Sequence, residues 1–189
     1  MKQKTSIRTI TQFITITAFC AGIVAVSAAE PPKVGDRAPD FTLNTLEGKS
    51  VSLKELTPKK PVVLLMLRGW PGYQCPLCTT QVHDFVSHAA GFDKAQVVMV
   101  YPGPADKLKE HAAEFLKDKQ WPKNFIFLTD PDYTFTTTYG LRWEAANETA
   151  YPSTFIIDTT GTVRFVKISH EHGGRTAAVD VQKQVESIK

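Results

Sequence analysis

The most informative stretch of this sequence is Val62–Phe85, VVLLMLRGWPGYQCPLCTTQVHDF. Its first part, Val62–Leu67, is a short apolar run of the kind found in strands that are covered on both faces of a sheet. The loop Arg68–Gln74 follows and contains two glycines and a proline, which end regular structure. Cys75 and Cys78 then stand where the next helix should begin. The stretch predicts a buried strand, a tight loop and a helix with two cysteines at its start.

The two cysteines have the spacing of a redox site. Thiols three residues apart at a helix start can close into a disulfide, and in the reduced form they can share one negative charge. The free N–H groups and the dipole of a helix N-terminus stabilise a thiolate, which is the nucleophilic form of cysteine. Pro76 suits the first helical position. A disulfide that closes so small a loop adds little stability, so redox exchange is the better reason for the pair.

The first 29 residues have the features of a secretory signal peptide. A basic start, MKQKTSIR, is followed by the largely apolar Ile10–Val26 and by the small residues Ser27–Ala29. We therefore expect residues 1–29 to be a signal peptide, residues 30–189 to form one domain, and the mature protein to be exported to the periplasm or the extracellular space. The alternative is a retained membrane anchor, because the apolar stretch is near spanning length.

Composition fits one ordinary globular domain, with 42% hydrophobic and 22% charged residues among 189. Of the 22 basic residues, Lys2, Lys4 and Arg8 belong to the signal peptide, so the mature basic residues equal the 19 acidic ones in number. That balance argues against nucleic acid as a partner. Cys20 also leaves with the signal peptide, which makes the pair at the helix start the only cysteines of the mature sequence.

The rest of the sequence alternates strand and helix patterns. Strands are predicted at Phe41–Leu43, Val51–Leu53, Gln96–Tyr101, Asn124–Leu128, Ser153–Asp158 and Val163–Ile168, the first two and the last two forming hairpins. Helices are predicted at Pro76–Ala90, Pro104–Lys119, Asp130–Tyr139 and Ala177–Ile188, with an irregular connection at Arg142–Ala150. This order predicts an α/β fold in which a central mixed sheet is flanked by helices on both faces.

Several motifs resemble those of a known family. The opening Gly35–Leu43 reads G-D-x-A-P-D-F-x-L, and Val51–Leu56 reads V-S-L-x-E-L after a Gly-centred turn. Two further motifs follow, D-P-D…Y-G-L within Asp130–Leu141 and T-F-I-I-D-x-x-G at Thr154–Gly161. Together they resemble the peroxiredoxin-like (AhpC/TSA, redoxin) branch of the thioredoxin-like superfamily. The resemblance spans about Val34–Ile188 and implies a thioredoxin-like fold with an N-terminal β-hairpin extension.

The peroxiredoxin resemblance implies one assignment of the two thiols. Peroxiredoxins of this kind carry P-x-x-x-T/S-x-x-C, and Pro71, Cys75 and Cys78 reproduce its spacing. On this register Cys78 attacks the peroxide, and Pro71 lies in the substrate loop. Cys75 departs from the pattern, because it replaces a hydroxyl residue that would hydrogen-bond the peroxide, and a thiol is a poorer donor. In that position Cys75 is a ready resolving thiol, which implies a Cys75–Cys78 disulfide in the oxidised enzyme.

Resemblance to thioredoxin-like reductases reverses the assignment. There the first cysteine, here Cys75, is the nucleophile, and Cys78 resolves the mixed disulfide. Tyr151–Phe155 (YPSTF) is similar to the cis-proline segment that lies against the dithiol in such reductases, which would place Pro152 in the substrate groove. The alternative is a proline that simply starts a strand. The sequence leaves both assignments open.

An arginine beside the dithiol would lower the thiolate pKa and bind an oxyanion. Arg68 is the first candidate, because it directly follows the predicted central strand, and Arg142 and Arg164 are weaker ones. Trp70 and Tyr73 are expected to form the rim of the site, with Trp70 in contact with substrate. The alternatives are solvated arginines and aromatic residues that only cap the sheet.

Metal binding is the less favoured reading of the cysteine pair. His170 and His172 could complete a four-ligand site with Cys75 and Cys78. Copper-handling thioredoxin-fold proteins typically use C-x-x-x-C, one residue longer than the spacing here, and histidines beside two glycines are typical of an exposed loop. We therefore predict no metal and no other cofactor.

The predicted function is that of an exported cysteine-dependent antioxidant oxidoreductase. It would reduce peroxides through a CxxC dithiol/disulfide cycle, with an external dithiol as its reductant. The second hypothesis is a thiol-disulfide oxidoreductase that acts on protein disulfides. The third is a non-enzymatic or metal-binding module of thioredoxin fold. A membrane is expected as a partner only if the signal segment is retained.

Overall fold

The computed structural model describes residues 29–188, so nearly all of the predicted signal peptide lies outside the described residues. Seven strands are present: β1 Thr42–Asn44, β2 Ser50–Ser52, β3 Val62–Met66, β4 Gln96–Gly103, β5 Phe125–Pro131, β6 Ser153–Ile157 and β7 Val163–Ile168. Five α-helices accompany them: α1 Leu53–Leu56, α2 Pro76–Ser87, α3 Leu108–Leu116, α4 Thr134–Thr138 and α5 Ala178–Ser187. A 3-10 turn at Ala89–Phe92 follows α2. Among residues 29–188 we find no helix with the length and hydrophobicity of a transmembrane segment.

The strands form one mixed sheet in the order β2-β1-β5-β4-β3-β6-β7. Strands β3, β4 and β5 are parallel, whereas β6 pairs antiparallel with β3 and β7 antiparallel with β6. The N-terminal hairpin β1–β2 joins the sheet through an antiparallel contact between β1 and β5. The predicted mixed sheet and its hairpin extension are therefore confirmed.

Strand β3 is central because both of its faces are apolar. All five of its residues are buried, and alternate side chains enter two separate cores. Val63 and Leu65 face the core that α2, α3 and α5 cover, whereas Leu64 and Met66 face the core beneath the hairpin and α4. Strand β3 is thus packed on both faces, and the loop that carries the cysteines directly follows its C-terminal end.

Several predicted boundaries are wrong for local reasons. The third helix is limited to Leu108–Leu116, because Lys107 and Asp118 take left-handed backbone conformations at its two ends. Strand β5 runs through Asp130 instead of giving way to a helix there. The Asp130 carboxylate instead accepts backbone N–H bonds from Phe135 and Thr136, each at 2.9 Å, and so caps α4 from the preceding strand.

The turn between β6 and β7 is organised by the buried carboxylate of Asp158. It accepts backbone N–H bonds from Thr160 at 2.8 Å and Thr162 at 2.9 Å, and the Nε of Arg164 donates to it at 2.6 Å. Burial alone would raise the pKa of Asp158, but these bonds and that of the Thr160 hydroxyl outweigh it and lower the pKa to about 2, against an ordinary 3.8.

We expect Asp158→Asn to lower the free energy of unfolding by about 2 kcal/mol near neutral pH. Because the folded-state pKa is lowered, the carboxylate's contribution is complete above about pH 4 and is lost as the pH falls towards 2. Urea unfolding across that range should show the difference in free energy of unfolding between Asp158→Asn and wild type becoming smaller at low pH. Asp93→Asn, at an exposed position, should match wild type throughout. A gap that does not change with pH would contradict this account.

Candidate active site

The cysteine loop is pinned to strand β4. The backbone N–H of Leu67 donates to the carbonyl of Val100 at 3.0 Å, and that of Trp70 donates to the carbonyl of Pro102 at 2.9 Å. Between them Gly69 has φ of +67°, and a Cβ there would collide with the Pro102 carbonyl. The loop can therefore follow β4 this closely only with glycine at position 69.

The two cysteines lie at the start of α2, as predicted. Cys75 is the N-cap residue, and Cys78 lies in the first turn after Pro76. Both are free thiols in this structure and both are buried, with 2% and 0% of their surface exposed. The Cys75–Cys78 disulfide would belong to the oxidised protein and stays a prediction.

Two N–H groups point at the Cys78 sulfur. The backbone N–H of Arg68 donates to it at 3.2 Å, and Nη2 of Arg175 approaches it to 3.5 Å. The same Nη2 lies 4.0 Å from the Cys75 sulfur, while Nη1 of Arg175 donates to Oε1 of Gln81 at 2.8 Å. Arg175 therefore places a positive charge over both sulfurs.

Arg175 was not among the arginines that the sequence suggested. It lies 97 residues after Cys78, in the connection between β7 and α5. The strand register contains a signal that could have identified Arg175, because Met66 pairs with Ser153 and Ser153 pairs with Ile168. The chain that leaves β7 must therefore emerge beside the cysteine loop, and an arginine soon after that point is a candidate for the site.

Arg68 lies at the site as predicted, but its guanidinium is engaged elsewhere. Nε donates to Oε2 of Glu148 at 2.5 Å, Nη1 to the hydroxyl of Tyr73 at 2.7 Å, and Nη2 to the carbonyl of Asn147 at 2.8 Å. The Thr149 hydroxyl donates to the Arg68 carbonyl. Arg68 thus fixes the loop and offers its backbone N–H to the sulfur, while Arg175 supplies the nearby cation.

The other candidate arginines lie away from the sulfurs. Arg142 donates to the carbonyl of Trp143 at 2.7 Å and covers the ring of Tyr133, with 4.0 Å between the guanidinium carbon and the ring centroid. Arg164 pairs with Asp158 in the β6–β7 turn. Both are structural in these positions.

The two thiols have opposite pKa shifts. A hydrogen bond from the Cys78 thiol lowers the pKa of Cys75 to about 5, with help from Arg175 and Arg68, although burial opposes the shift. Complete burial raises the pKa of Cys78. The pair therefore carries one negative charge and one proton at neutral pH, and the two titration steps belong to the pair.

The cysteine loop carries aromatic side chains next to the dithiol in sequence. Trp70 stacks on His111 with 3.6 Å between ring centroids, and the Gln74 side chain donates to the His111 carbonyl at 2.8 Å. Pro71 is half-buried in the same loop, and Tyr73 is 46% exposed. Trp70 and Pro71 both lie in the cysteine loop, and their contact with substrate stays a prediction.

The expected cis-proline is wrong. No cis peptide bond occurs in residues 29–188, so the Tyr151–Pro152 bond is trans. Pro152 directly precedes β6, and its carbonyl accepts the backbone N–H of Ser169 at 2.9 Å, which continues the β6–β7 pairing. The simpler interpretation, a proline that starts a strand, describes its position.

The histidines of the proposed metal alternative have other contacts. His172 pairs with Glu148 at 2.7 Å, and the ring of His170 meets that of Tyr151 edge-on, with 4.7 Å between centroids. Within residues 29–188 no cluster of three or more His, Cys, Asp or Glu side chains is arranged to hold a metal ion.

Comparison with known proteins identifies a family to which this chain is similar. The sequence profile of the AhpC/TSA family matches residues 34–166. A bcp peroxiredoxin of Helicobacter pylori is 34% identical over 139 residues, which cover 71% of this chain and 86% of that protein. A thiol peroxidase of Streptococcus pneumoniae is 31% identical over 140 residues, covering 71% of this chain and 77% of the relative.

Solved structures confirm the predicted thioredoxin-like fold of peroxiredoxin type. A peroxiredoxin-like protein from Aquifex aeolicus superimposes with a TM-score of 0.66 and 22% identity, covering 84% of this chain and 89% of the other. The peroxidoxin BcpB from Mycobacterium tuberculosis superimposes with a TM-score of 0.64 and 25% identity, covering 84% of this chain and 99% of the other.

We expect the reduced protein to form one thiolate with a midpoint near pH 5, because the pKa of Cys75 is lowered to about 5. Arg175→Met should raise that midpoint by about one pH unit, since a nearby cation favours the charged form. Thiolate absorbance in the ultraviolet, followed against pH, measures the midpoint in wild type and in Arg175→Met. Arg37→Met is a matched control, because Arg37 contacts the Thr160 carbonyl at the far end of the sheet. An unchanged midpoint in Arg175→Met would contradict the assigned role.

Proposed function

Because the chain belongs to the AhpC/TSA family, we propose that it is an exported thiol peroxidase that works through the dithiol of Cys75 and Cys78. Its class, a peroxiredoxin-like oxidoreductase, follows from the family and the relatives. The proposal adds the substrate, hydrogen peroxide or an alkyl hydroperoxide, together with the disulfide cycle and the export.

One observation carries the choice of attacking sulfur. Two N–H donors lie close to the Cys78 sulfur, the backbone of Arg68 at 3.2 Å and the guanidinium of Arg175 at 3.5 Å, and the same guanidinium lies farther from the Cys75 sulfur, at 4.0 Å. Donors in that position stabilise a thiolate, and they also stabilise charge that develops on a peroxide oxygen during attack. The peroxidatic role that the family motif implies for Cys78 agrees with this arrangement.

Cys75 has two tasks in the proposed cycle. The two thiols share one proton, and the protonated thiol donates a hydrogen bond to the thiolate. This hydrogen bond can therefore stabilise a thiolate at either cysteine. The Cys78 thiolate forms when the proton moves from Cys78 to Cys75. Attack on the O–O bond makes a Cys78 sulfenic acid and releases an alkoxide or hydroxide, which takes the proton from Cys75 and leaves as alcohol or water. Cys75 thus acts as the general acid for the leaving oxygen.

The cycle then closes within the pair. The Cys75 thiolate attacks the sulfenic sulfur of Cys78, the S–S bond forms, and hydroxide leaves and is protonated to water. An external dithiol reduces the bridge by thiol–disulfide exchange and is itself oxidised to a disulfide. These steps call for no metal, flavin or haem.

The second candidate function is reduction of protein disulfides with Cys75 as the nucleophile. The lowered pKa of Cys75 and its position at the N-cap favour it. Tyr73 and Leu77 beside the pair are 46% and 42% exposed and could contact a protein substrate. The trans bond before Pro152 removes the feature that had pointed most directly to this function.

Export is proposed from the sequence of residues 1–29, whose basic start, apolar middle and small residues before Glu30 fit a cleaved signal. We expect protein recovered from the periplasm or medium to begin near Glu30 on N-terminal sequencing. Recovery of full-length chain in the membrane fraction would instead indicate a retained anchor, and full-length chain in the cytoplasm would contradict export.

We expect Cys78→Ser to abolish the fast reaction with peroxide, because it removes the attacking sulfur. Cys75→Ser should still be oxidised once and then stop as a Cys78 sulfenic acid, because it lacks the resolving thiol. Stopped-flow mixing of the reduced mature proteins with peroxide, followed by dimedone labelling, separates these outcomes.

The same pair of variants tests the second function. If Cys75→Ser is the inactive variant towards peroxide, the assigned roles are reversed. If wild type reacts with peroxide no faster than a free thiol, yet reduces a protein disulfide through Cys75, the proposed function fails and the second candidate replaces it.

A further inference from the structure

We propose that His172 is a positioning residue for the dithiol: its pairing with Glu148 holds Arg175 over the Cys78 sulfur. The segment concerned, Ser169–Ala177 between β7 and α5, is called the Arg175 loop below. Its consequence for catalysis rests on the proposed peroxidase function, whereas its effect on the thiolate can be measured without any peroxide.

The Arg175 loop is exposed over most of its length. Residues 170–174 are exposed and include two glycines, one of which, Gly174, has φ of +66°. The Ser169 hydroxyl donates to the carbonyl of Gly173 within the loop. Across to the sheet, the hydroxyls of Thr176 and Thr154 are 2.7 Å apart. An exposed segment of this kind needs side-chain contacts to hold one conformation.

Glu148 provides such a contact from the opposite side of the site. Its side chain is only 10% exposed, and its two oxygens are shared: Oε2 accepts from Nε of Arg68 at 2.5 Å, and Oε1 lies 2.7 Å from Nε2 of His172. Burial alone would raise the pKa of Glu148, but hydrogen bonds from Arg68 and His172 lower it. Glu148 is therefore a fixed carboxylate that joins the cysteine loop to the Arg175 loop.

His172 transmits that contact to Arg175 through its own backbone. The carbonyl of His172 accepts the Nε–H of Arg175 at 3.1 Å. The remaining nitrogens of Arg175 reach Gln81 at 2.8 Å and the Cys78 sulfur at 3.5 Å. The side chain of His172 is thus tied to Glu148, and its main chain orients the guanidinium that covers the thiols.

The contacts close a ring around the attacking sulfur. Starting at Cys78, the ring runs through Arg68, Glu148, His172 and Arg175 and returns to Cys78. Removing the imidazole opens the ring at its most exposed member, since the His172 side chain is 47% exposed. The His172 ring lies at the surface and Glu148 keeps its bond to Arg68 when the ring is removed, so the variant should fold and the change should stay local.

The experiment is a double-mutant cycle on the thiolate titration of the reduced full chain. His172→Ala should raise the thiolate midpoint in the same direction as Arg175→Met and slow peroxide oxidation by about tenfold. In the Arg175→Met background, His172→Ala should have no further effect on the midpoint, because the cation through which it acts is absent.

Two further variants separate this role from general loosening. His172→Gln can still donate from Nε2 to Glu148, so it should restore most of the wild-type midpoint. His170→Ala is the matched control, because His170 lies in the same loop and its ring contacts Tyr151 instead. His170→Ala should leave both midpoint and oxidation rate unchanged.

The outcomes are decisive in both directions. Equal shifts from His172→Ala with and without Arg175, or no shift in either background, would overturn the proposal. A shift that disappears without Arg175, in a protein that does not reduce peroxide, would support the positioning role and refute the proposed function. The two claims can therefore fail independently.

Discussion

The cost of burying a thiolate is the constraint on which the rest of the site depends. The two sulfurs lie beneath the protein surface, where a negative charge is unstable without donors. The fold supplies them from three places: the backbone of Arg68 in the cysteine loop, the guanidinium of Arg175 in the Arg175 loop, and the thiol of the neighbouring cysteine. Each of these donors then has to be held in place by the structure around it.

Holding those donors produces the remaining polar network. A buried guanidinium is costly unless it is paired, and Arg68 is paired with Glu148 and with the Tyr73 hydroxyl. The second oxygen of Glu148 reaches His172, and Arg175 is supported by Gln81. In residues 29–188 no fully buried side-chain nitrogen or oxygen lacks a hydrogen-bond partner. The site can therefore be polar and still lie against an apolar core.

Local sequence patterns predicted the parts of the structure that depend on neighbouring residues. The apolar run of β3, the Gly/Pro loop and the cysteine pair were all visible in one stretch, and they led to the right sheet. The ends of α3 and α4 were not visible. They depend on left-handed residues such as Lys107 and on Asp130, which caps a helix from inside a strand.

Residues brought together by topology were harder to predict. Arg175 and His172 reach the site because the end of β7 and the end of β3 both pair with the start of β6, which no local pattern encodes. The sequence around Pro152 misled for the opposite reason, since YPSTF has the local form of a cis-proline segment but here begins a strand with a trans bond. Local resemblance thus predicted a cis bond that is absent, and local patterns missed Arg175.

The central claim is that the two buried thiols act as one redox unit, and the most direct measurement is mass spectrometry of the reduced protein after one equivalent of peroxide. The account predicts a single intramolecular bridge between Cys75 and Cys78 and no remaining free thiol. Two unmodified thiols after stoichiometric peroxide would contradict it.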